Sequence, residues 1–516
     1  MILTVPNCGA AGVNRDISRH DLPPNVWTDA LDIRFQDGAT RQALGYETIY
    51  TPSVVPLHLL PVQSGSTRYW IYAGTGKIYV AYMSGSTETH TNLTRSVGGD
   101  YTGAANAWTS CTLSGIPVLN PGNTTDPPQS WDLNVANKFG ALTGWPASTY
   151  CKAMRTYKNF LIALNVTKSS TNYPFMVKWS SAAEPGALPT SWDATDVTKD
   201  AGETDLAEGG DYIVDGLQLR DSFVIYKERS VWRMDYVGGD FVFRFQKVIG
   251  SSGAMNRNCI AEFQGQHFVL TSDDVIVHDG QSPTSVLDHV TRRQLFAEMD
   301  TTNRSLAFVF RNPFYSELMV CYPSIGSSIC DRAMVWNWRD KTVSFRSMPN
   351  VYHAATGPLD FSTSDSWAVS GAPWSAMDRA WGSGGTVPEY ARVLLASSAT
   401  KLYLLDAAAS YAGSLPSAYV ERVGLSFQDP TARKVIKRIR PRITGNDGAT
   451  VTVSVGYHDD LYDTPTYTDM TYTIGETTSC DCLVNGRYLA VKFSTGTAYQ
   501  WKLDSYDVEY EVRGRW

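Results

Sequence analysis

The sequence predicts an all-β fold in two main parts: an irregular β-propeller-like domain with long insertions, then a C-terminal β-sandwich or jelly-roll-like module. Three observations support this. A unit of two apolar strands around a short polar turn recurs between residues 56 and 406. Strand-favouring Val, Thr, Tyr and Trp fill these runs, and 41 glycines and 25 prolines separate them. From residue 419 onward, apolar and polar residues alternate cleanly.

The recurring unit predicts the blades of a propeller. A propeller builds each blade from a small antiparallel sheet and closes the blades into a ring, which protects the strand edges. Because the units are unevenly spaced, we expect five or six irregular blades. A β-sandwich with elaborated loops is the structural alternative. The instances of the unit begin at Arg68, Asn159, Asp221, Gln266, Ser316 and Ala391.

Two irregular stretches are expected to be insertions in the propeller. Residues 84–150 contain Pro-Pro and Asn-Pro pairs, which cannot continue a strand ladder. Residues 362–390 carry Trp367, Trp374 and Trp381, but the glycines around them argue against a helix. The predicted boundaries are 1–55 for an N-terminal arm and hairpin, 56–418 for the propeller and 419–516 for the C-terminal module.

The charge balance argues against a nucleic-acid binder of the basic-patch type. The chain has 44 basic and 51 acidic residues and a formal charge of −7. Binding to phosphates draws its affinity from Lys and Arg that displace counterions, so an acidic protein lacks that driving force. An acidic wall instead suits a conduit through which DNA slides.

The N-terminus lacks the pattern of a signal peptide, so we expect folding in a reducing cytoplasm with the eight cysteines as small buried hydrophobes.

Common catalytic and metal-binding motifs are missing from the sequence. The segment at 73–77 resembles a phosphate loop, but Ile71 stands where the first glycine belongs and Ile78 follows the lysine, so it is read as a hairpin turn. No G-x-S-x-G, H-E-x-x-H or C-x-x-C occurs. No enzymatic activity, cofactor or metal is therefore expected. The recurring His267, His278 and His289 are read as ordinary half-buried histidines.

An acidic segment covers residues 196–215. Three alternatives are open for it: a solvated loop, a subunit contact or channel-facing patch, and a calcium site without the EF-hand spacing. The candidate channel-lining residues are Asp200, Glu203, Asp205 and Glu208.

A basic segment begins at Arg433. If it is a strand, Arg438, Arg440 and Arg442 share one face, and Ile439 and Ile443 lie on the other. Arginines in such a row suit bidentate pairing with carboxylates of another subunit or domain, and the alternative is a solvated outer face. The three arginines are interface candidates.

The opening segment, Gly12 to Tyr46, carries the most specific pattern of the chain. Leu31, Ile33 and Phe35 alternate with polar residues before a turn at Asp37-Gly38, which predicts a half-buried hairpin. The ordered set resembles the opening of nozzle proteins, also called tail tubular protein B, from short-tailed bacteriophages. The matching residues are Asn14, Asp16, Ile17, Leu22, Pro23, Asn25, Trp27, Asp29, Ala30, Ile33, Arg34, Phe35, Asp37, Gly38, Gly45 and Tyr46.

Further elements extend the resemblance, with gaps, over most of the first 350 residues. They include W-S-x-x-x-x-P from Trp179, A-G-x-T-D-L from Ala201 and Y-K-E-x-S-V-W from Tyr226. The string NGRYLAVKF and the last residues, Y-x-V-E-Y-x-V-R-G-R, look like the end of nozzle chains.

The resemblance implies a structural component of the virion, made in the bacterial cytoplasm. Such a protein forms a homohexameric ring below the adaptor (tail tubular A) ring, lengthens the DNA exit channel, retains the packaged double-stranded DNA and gates its ejection. Its outer surface meets tail fibres or spikes, and its distal end faces the host surface. Asn14, Asp16, Trp27 and Arg34 are interface candidates on this basis. The alternative is a propeller-type protein that binds or degrades host glycans, which the abundant Trp and Tyr would suit.

Overall fold

The computed structural model describes residues 1–85, 87–239, 241–359 and 392–515. Nearly every regular element in these ranges is a β-strand, which confirms the predicted all-β, propeller-like class. The tryptophan-bearing stretch 362–390, expected to be an insertion, lies outside the described residues.

The first strands include the predicted hairpin. Ile33 pairs with Gln42 and Gln36 with Ala39. Asp37 and Gly38 at the turn both have positive φ, 53° and 73°, as a type I′ hairpin turn requires. The strands are β1 (Ile2–Val5), β2 (Asp29–Leu31), β3 (Ile33–Gln36), β4 (Ala39–Gln42) and β5 (Tyr46–Tyr50).

Five four-stranded antiparallel sheets follow, and each is one blade. The first blade has β6 (His58–Ser64), β7 (Thr67–Ala73), β8 (Ile78–Ser84) and β9 (Thr87–Asn92). The second has β10 (Thr109–Leu113), β11 (Ile116–Asn120), β12 (Gln129–Ser130) and β13 (Gly140–Ala141). The third has β14 (Thr149–Tyr157), β15 (Phe160–Lys168), β16 (Thr171–Trp179) and β17 (Gly202–Asp205). The fourth has β18 (Ile213–Leu219), β19 (Ser222–Lys227), β20 (Val231–Tyr236) and β21 (Phe243–Ile249). The fifth has β22 (Ile260–Phe263), β23 (Gln266–Leu270), β24 (Val275–His278) and β25 (Pro283–Ser285).

One seven-stranded sheet supplies the last two blades. Its long strand β29 pairs through its first half with β28 and through its second half with β30, and β5 adds the outermost strand. Helix α1 (His289–Glu298) precedes this sheet, and 3₁₀ turns cover Arg304–Leu306 and Pro313–Tyr315. The strands are β26 (Phe308–Asn312), β27 (Glu317–Tyr322), β28 (Cys330–Asn337), β29 (Val343–Gly357), β30 (Arg392–Ser397) and β31 (Lys401–Leu405).

The blades form a closed ring of seven. The first strands of successive blades are neighbours, from β6 through β10, β14, β18, β22 and β26 to the second half of β29, which returns to β6. A separate apolar cluster fills each space between adjacent blades. Because β5 precedes the first blade in sequence but completes the last one, the N-terminal segment closes the ring.

The ring has more blades than the five or six expected, for two reasons. The bend of β29 lets one sheet serve as two blades. In addition, the stretch 84–150, predicted to be a surface insertion, contains the second blade. Its Trp108, Leu119 and Trp131 are buried against the first blade. The prediction was wrong because the proline-rich turns separate very short strands without preventing them from pairing.

The C-terminal strands form a two-sheet sandwich together with β1 to β4. One sheet has the order β3-β4-β38-β33-β36, with β1 also pairing with β38, and the other has the order β2-β32-β37-β34-β35. Trp27, Val453, Phe493 and Trp501 lie in the core between the sheets. The segment 1–55, expected as an arm, therefore contributes to both the sandwich and the ring. The C-terminal strands are β32 (Tyr419–Leu425), β33 (Ala432–Gly445), β34 (Thr450–His458), β35 (Thr466–Thr473), β36 (Cys480–Gly486), β37 (Tyr488–Thr495) and β38 (Trp501–Arg515).

Candidate functional site

A buried cluster of charged side chains joins the sandwich to the ring. Arg34, on β3 of the sandwich, donates from Nε and Nη2 to the two carboxylate oxygens of Glu317 at 2.6 and 2.9 Å. Its Nη2 also reaches Asp406 at 3.1 Å. Arg346 donates to the other oxygen of Asp406 at 3.0 Å, and Asn312 donates to Asp406 at 2.8 Å. Two arginines and two carboxylates thus balance each other inside the protein.

Mutual attraction keeps this cluster charged. Burial alone would raise the pKa of Asp406, but Arg34 and Arg346 outweigh it and hold the pKa below its usual value. Burial works against the charge of Arg34 too, yet Asp406 and Glu317 raise its pKa. The Tyr315 ring covers the guanidinium, with its centroid 3.5 Å from Cζ. Paired and hydrogen-bonded charges of this kind tolerate burial, whereas a single unpaired one does not.

The burial of Arg34 changes two sequence expectations. The hairpin was expected to be half-buried, but Ile33, Arg34 and Phe35 are all buried, because the ring covers the face that the sandwich core does not. Arg34 was also an interface candidate. Its side chain is 3% exposed and its guanidinium is paired within the chain, so it is not available to a second subunit.

Asp16 and Asn14 fasten the N-terminal segment to the ring. The Asp16 carboxylate accepts hydrogen bonds from the backbone N–H groups of His289 and Val290 at 3.0 and 2.6 Å, at the start of α1. Burial slightly opposes its charge, but these N–H groups prevail and the pKa of Asp16 is lowered. Asn14 accepts from the backbone of Asp16 and thereby shapes the turn that presents it. Both residues act inside the chain, where an anion at a helix N-terminus is favourable.

Trp27 is a core residue of the sandwich rather than a surface anchor. Its side chain has no exposed surface, its Nε1 donates to the carbonyl of Cys8 at 2.5 Å, and its ring packs against those of Phe493 and Tyr506. It was an interface candidate, but the sandwich encloses it completely. Arg34, Asp16 and Trp27 therefore serve one structural purpose, which is to fix the N-terminal segment between the two parts of the molecule.

The three arginines of β33 form a charged ladder. Ile439 and Ile443 on the same strand are buried, as the sequence predicts. The carboxylates that pair with the three arginines, however, come from adjacent strands of the same sheet and not from another subunit or domain. The strand register brings an acidic residue close to each arginine. Arg442 still leaves 56% of its side chain exposed. The pairs are Arg438–Asp481, Arg440–Glu509 and Arg442–Asp507.

The channel-lining candidates of the acidic segment lie at or near the outer edge of the third blade, whereas Asp211 pairs with Lys227 of the fourth blade and Asp215 lies at the centre of the ring. Glu203 and Asp205 belong to β17, the last strand of that sheet. Glu203 pairs with two lysines of the blade; burial opposes its charge, but Lys168 and Lys178 lower its pKa. Asp200, Asp205 and Glu208 are exposed, and Glu208 is 3.3 Å from the Nζ of Lys247. Among the described residues, no group of three or more His, Cys, Asp or Glu is arranged to hold a metal ion.

The centre of the ring contains a polar network that the sequence did not reveal. Arg155 on β14 binds the carboxylate of Asp215 on β18 through Nε and Nη2, at 2.8 and 2.7 Å, and reaches Asn258 at 3.0 Å. The His58 and His353 rings meet between the first and last blades, with centroids 4.1 Å apart and planes tilted by 43°. The partners of these residues are distant in sequence. Only the blade arrangement brings them together.

Two of the three recurring histidines meet through a tyrosine. The Tyr226 hydroxyl lies 2.7 Å from Nδ1 of His267 and 2.6 Å from Nε2 of His278. Burial lowers the pKa of His267 to about 3 and that of His278 to about 4, so both rings are neutral. His289 lies apart at the start of α1.

All eight cysteines are free thiols and seven are buried, which agrees with the prediction.

Comparison with known proteins assigns no function to the chain. No family model and no curated protein matches the chain. Similar solved structures include the AfRom2 CNH domain, which is 10% identical and has a TM-score of 0.34, with 62% of this chain and 93% of that one covered. The Synechocystis apocarotenoid oxygenase is 10% identical with a TM-score of 0.33, covering 62% and 78%. The Neurospora crassa Pan2 WD40 domain is 12% identical with a TM-score of 0.29, covering 73% and 88%.

At such low similarity these structures carry no functional argument. In the part of the chain that the structure describes, no helix has the length and apolar character to cross a membrane.

Proposed function

We propose that the chain is a subunit of a homohexameric tail nozzle of a short-tailed bacteriophage, with a structural rather than catalytic role. In this proposal the ring of subunits continues the DNA channel below the adaptor ring, retains the packaged genome and releases it when the host is engaged. The observation that carries the proposal is the ordered residue pattern of the opening segment, from Asn14 to Tyr46.

The positions of those pattern residues fit this role. Three of them fix the N-terminal segment to different parts of the molecule. Asp16 binds the start of α1, Trp27 packs in the sandwich core, and Arg34 pairs with Glu317 of the sixth blade. A channel wall that encloses DNA under pressure must transmit force without opening between its parts. The bidentate Arg34–Glu317 pair fixes the position of the sandwich on the ring, because such a pair requires a specific geometry.

The charge of the assembly supports a conduit rather than a DNA-binding ring. Six copies carry six times the −7 of one chain, while duplex DNA has about one negative charge per ~1.7 Å of its axis. Weak repulsion keeps the DNA mobile, and attraction is confined to a few positions. We place the exposed carboxylates Asp200, Asp205 and Glu208 on the channel side as the first candidates for this lining, with Glu203 held beside them by its lysines.

The contacts outside the ring follow from the same proposal. The adaptor ring binds one end of the nozzle, fibres or spikes bind its outer surface, and the distal end approaches the host. The charged ladder of β33 remains half-exposed after its internal pairing, so it can still contribute to such a contact through a change of partners.

Gold-labelled antibody against the purified chain, applied to intact particles of the phage that encodes it, tests the proposal. We expect label on the short tail below the portal vertex. Pre-incubation of the antibody with purified protein is the control and should abolish the label. Label on the capsid or on the fibres alone, or no label on any particle, would contradict a nozzle.

A further inference from the structure

A cleft of about 340 Å³ lies at the joint, between β2 of the sandwich and helix α1 of the ring. It is separate from the buried Arg34 cluster and from the charged ladder. The residues that line it include Arg15, Glu298, Tyr322, Arg332, Phe345 and Tyr419.

Three hydrogen-bond donors in this cleft have no partner among the described residues. The Tyr322 side chain has no exposed surface, and its hydroxyl makes no hydrogen bond. The Nη1 of Arg15 is buried and also makes none, although its Nη2 is bound to Asp29 at 2.6 Å. The Arg332 guanidinium forms no ion pair within the described ranges. A buried donor without a partner costs about 1–3 kcal/mol, so the two buried donors, with the half-exposed Arg332 beside them, indicate a ligand that accepts from them.

The strand register directs two of these donors to the same place. Tyr322 and Arg332 are directly opposite each other on the antiparallel strands β27 and β28. Side chains of opposed residues project from the same face of a sheet. Burial, reinforced by Glu298, raises the pKa of Tyr322, so its hydroxyl remains protonated and donates.

The acidic residues of the cleft decide what kind of anion fits. Both oxygens of Asp29 are already occupied, by Arg15 and by the hydroxyl of Tyr419 at 2.8 Å. One oxygen of Glu298 accepts from Gln294 at 2.5 Å. These two negative charges disfavour a phosphate dianion more than a singly charged carboxylate. The Phe345 ring, 5.1 Å from the Arg15 guanidinium carbon, and the Tyr419 ring provide apolar surface beside the charged groups.

We propose that the joint cleft is a binding site for a carboxylate attached to an apolar or aromatic group, held by Arg15, Arg332 and Tyr322. The carboxylate is either that of a free small acid or that of an acidic side chain or terminus of a partner peptide. Because its walls come from both the sandwich and the ring, a bound ligand also bridges the two parts of the molecule. This inference does not depend on the chain forming a hexamer.

The test measures binding of phenylacetate to the purified full chain by calorimetry at low salt. Its neutral isostere phenylacetamide, inorganic phosphate and an acetylated Phe-Glu dipeptide amide serve as parallel probes. We expect phenylacetate or the dipeptide to bind, and whichever binds more tightly identifies the source of the carboxylate. Arg332→Gln should weaken that binding about ten-fold or more, since it removes a charge-assisted hydrogen bond.

Tyr322→Phe provides the second variant. It should weaken binding about five-fold while leaving thermal stability unchanged or higher, because it removes only a hydroxyl that has no partner. Arg440→Gln, on the distant ladder, is the matched control and should bind as the unaltered protein does.

The proposal is overturned if phenylacetate and the dipeptide bind no better than phenylacetamide, or if phosphate binds more tightly than both. It is also overturned if Tyr322→Phe and Arg332→Gln bind like the unaltered protein.

Discussion

The guanidinium of Arg34 binds both carboxylate oxygens of Glu317, 283 residues away in sequence, at 2.6 and 2.9 Å. This bond joins a hairpin of the sandwich to the first residue of a strand in the sixth blade. Asp406 and Arg346 extend it to the seventh blade. The N-terminal segment therefore determines how the two parts of the molecule are held together.

Replacing Arg34 with Met should destabilise the protein severely. The change leaves the carboxylates of Glu317 and Asp406 buried with one arginine fewer, and breaking a buried pair in this way costs about 3–5 kcal/mol. Urea unfolding measures the loss. The matched control is Arg440→Met, at a half-exposed pair, which should cost less than about 1 kcal/mol. Comparable small losses for both variants would show that the cluster does not hold the joint.

Asp16→Ala should loosen the start of helix α1. Its carboxylate accepts from two backbone N–H groups there, beside the N-cap residue Asp288, and loss of capping hydrogen bonds of this kind costs about 0.5–2 kcal/mol. Hydrogen exchange of residues 289–298 should become faster while exchange in the sandwich core changes little. Asp21→Ala, at a largely exposed carboxylate nearby, is the control. Unchanged exchange in α1 would exclude a capping role for Asp16.

Stability should fall as the pH is lowered from about 6.5 toward 5. Burial lowers the pKa of His267 and His353 to about 3 in the folded protein, against 6.5 for the free side chain. The unfolded chain therefore takes up protons that the folded chain does not. Each of these histidines then costs about 2 kcal/mol at pH 5. Urea unfolding at pH 7 and pH 5 tests this, and His267→Gln should reduce the difference. Equal stability at the two pH values would contradict neutral buried rings.

The exposed carboxylates at the edge of the third blade should affect DNA release. In virions that carry Asp200→Lys, Asp205→Lys and Glu208→Lys, we expect ejection to slow several-fold, because lysines give the phosphates a place to bind. Glu203 is left unchanged, since its pairs with Lys168 and Lys178 stabilise the blade. As a single-site comparison, Asp205→Lys alone is measured beside Asp279→Lys, which alters an exposed carboxylate just after β24 of the fifth blade. A normal ejection rate in the triple variant would show that this edge does not line the channel.

Local patterns in the sequence predicted the strands well and the long-range partners poorly. The alternation of Ile33 and Phe35 and the Asp37-Gly38 turn were sufficient for the hairpin, because both are local properties of a strand pair. Arg34 in the same strand was an interface candidate, since a lone arginine between apolar residues gives no sign of a partner within the chain. Its second carboxylate, Asp406, is 372 residues away. The Tyr322–Arg332 pair of the cleft was missed for a related reason: the chemistry depends on strand register and on a wall contributed by the sandwich.

The native mass of the purified protein, measured alone and after mixing with adaptor rings, tests the central claim most directly. The account predicts six subunits in a closed ring. The protein alone then has a mass near six times 56.9 kDa, or the adaptor ring gains that mass on mixing. Particles of one subunit mass under both conditions would contradict it.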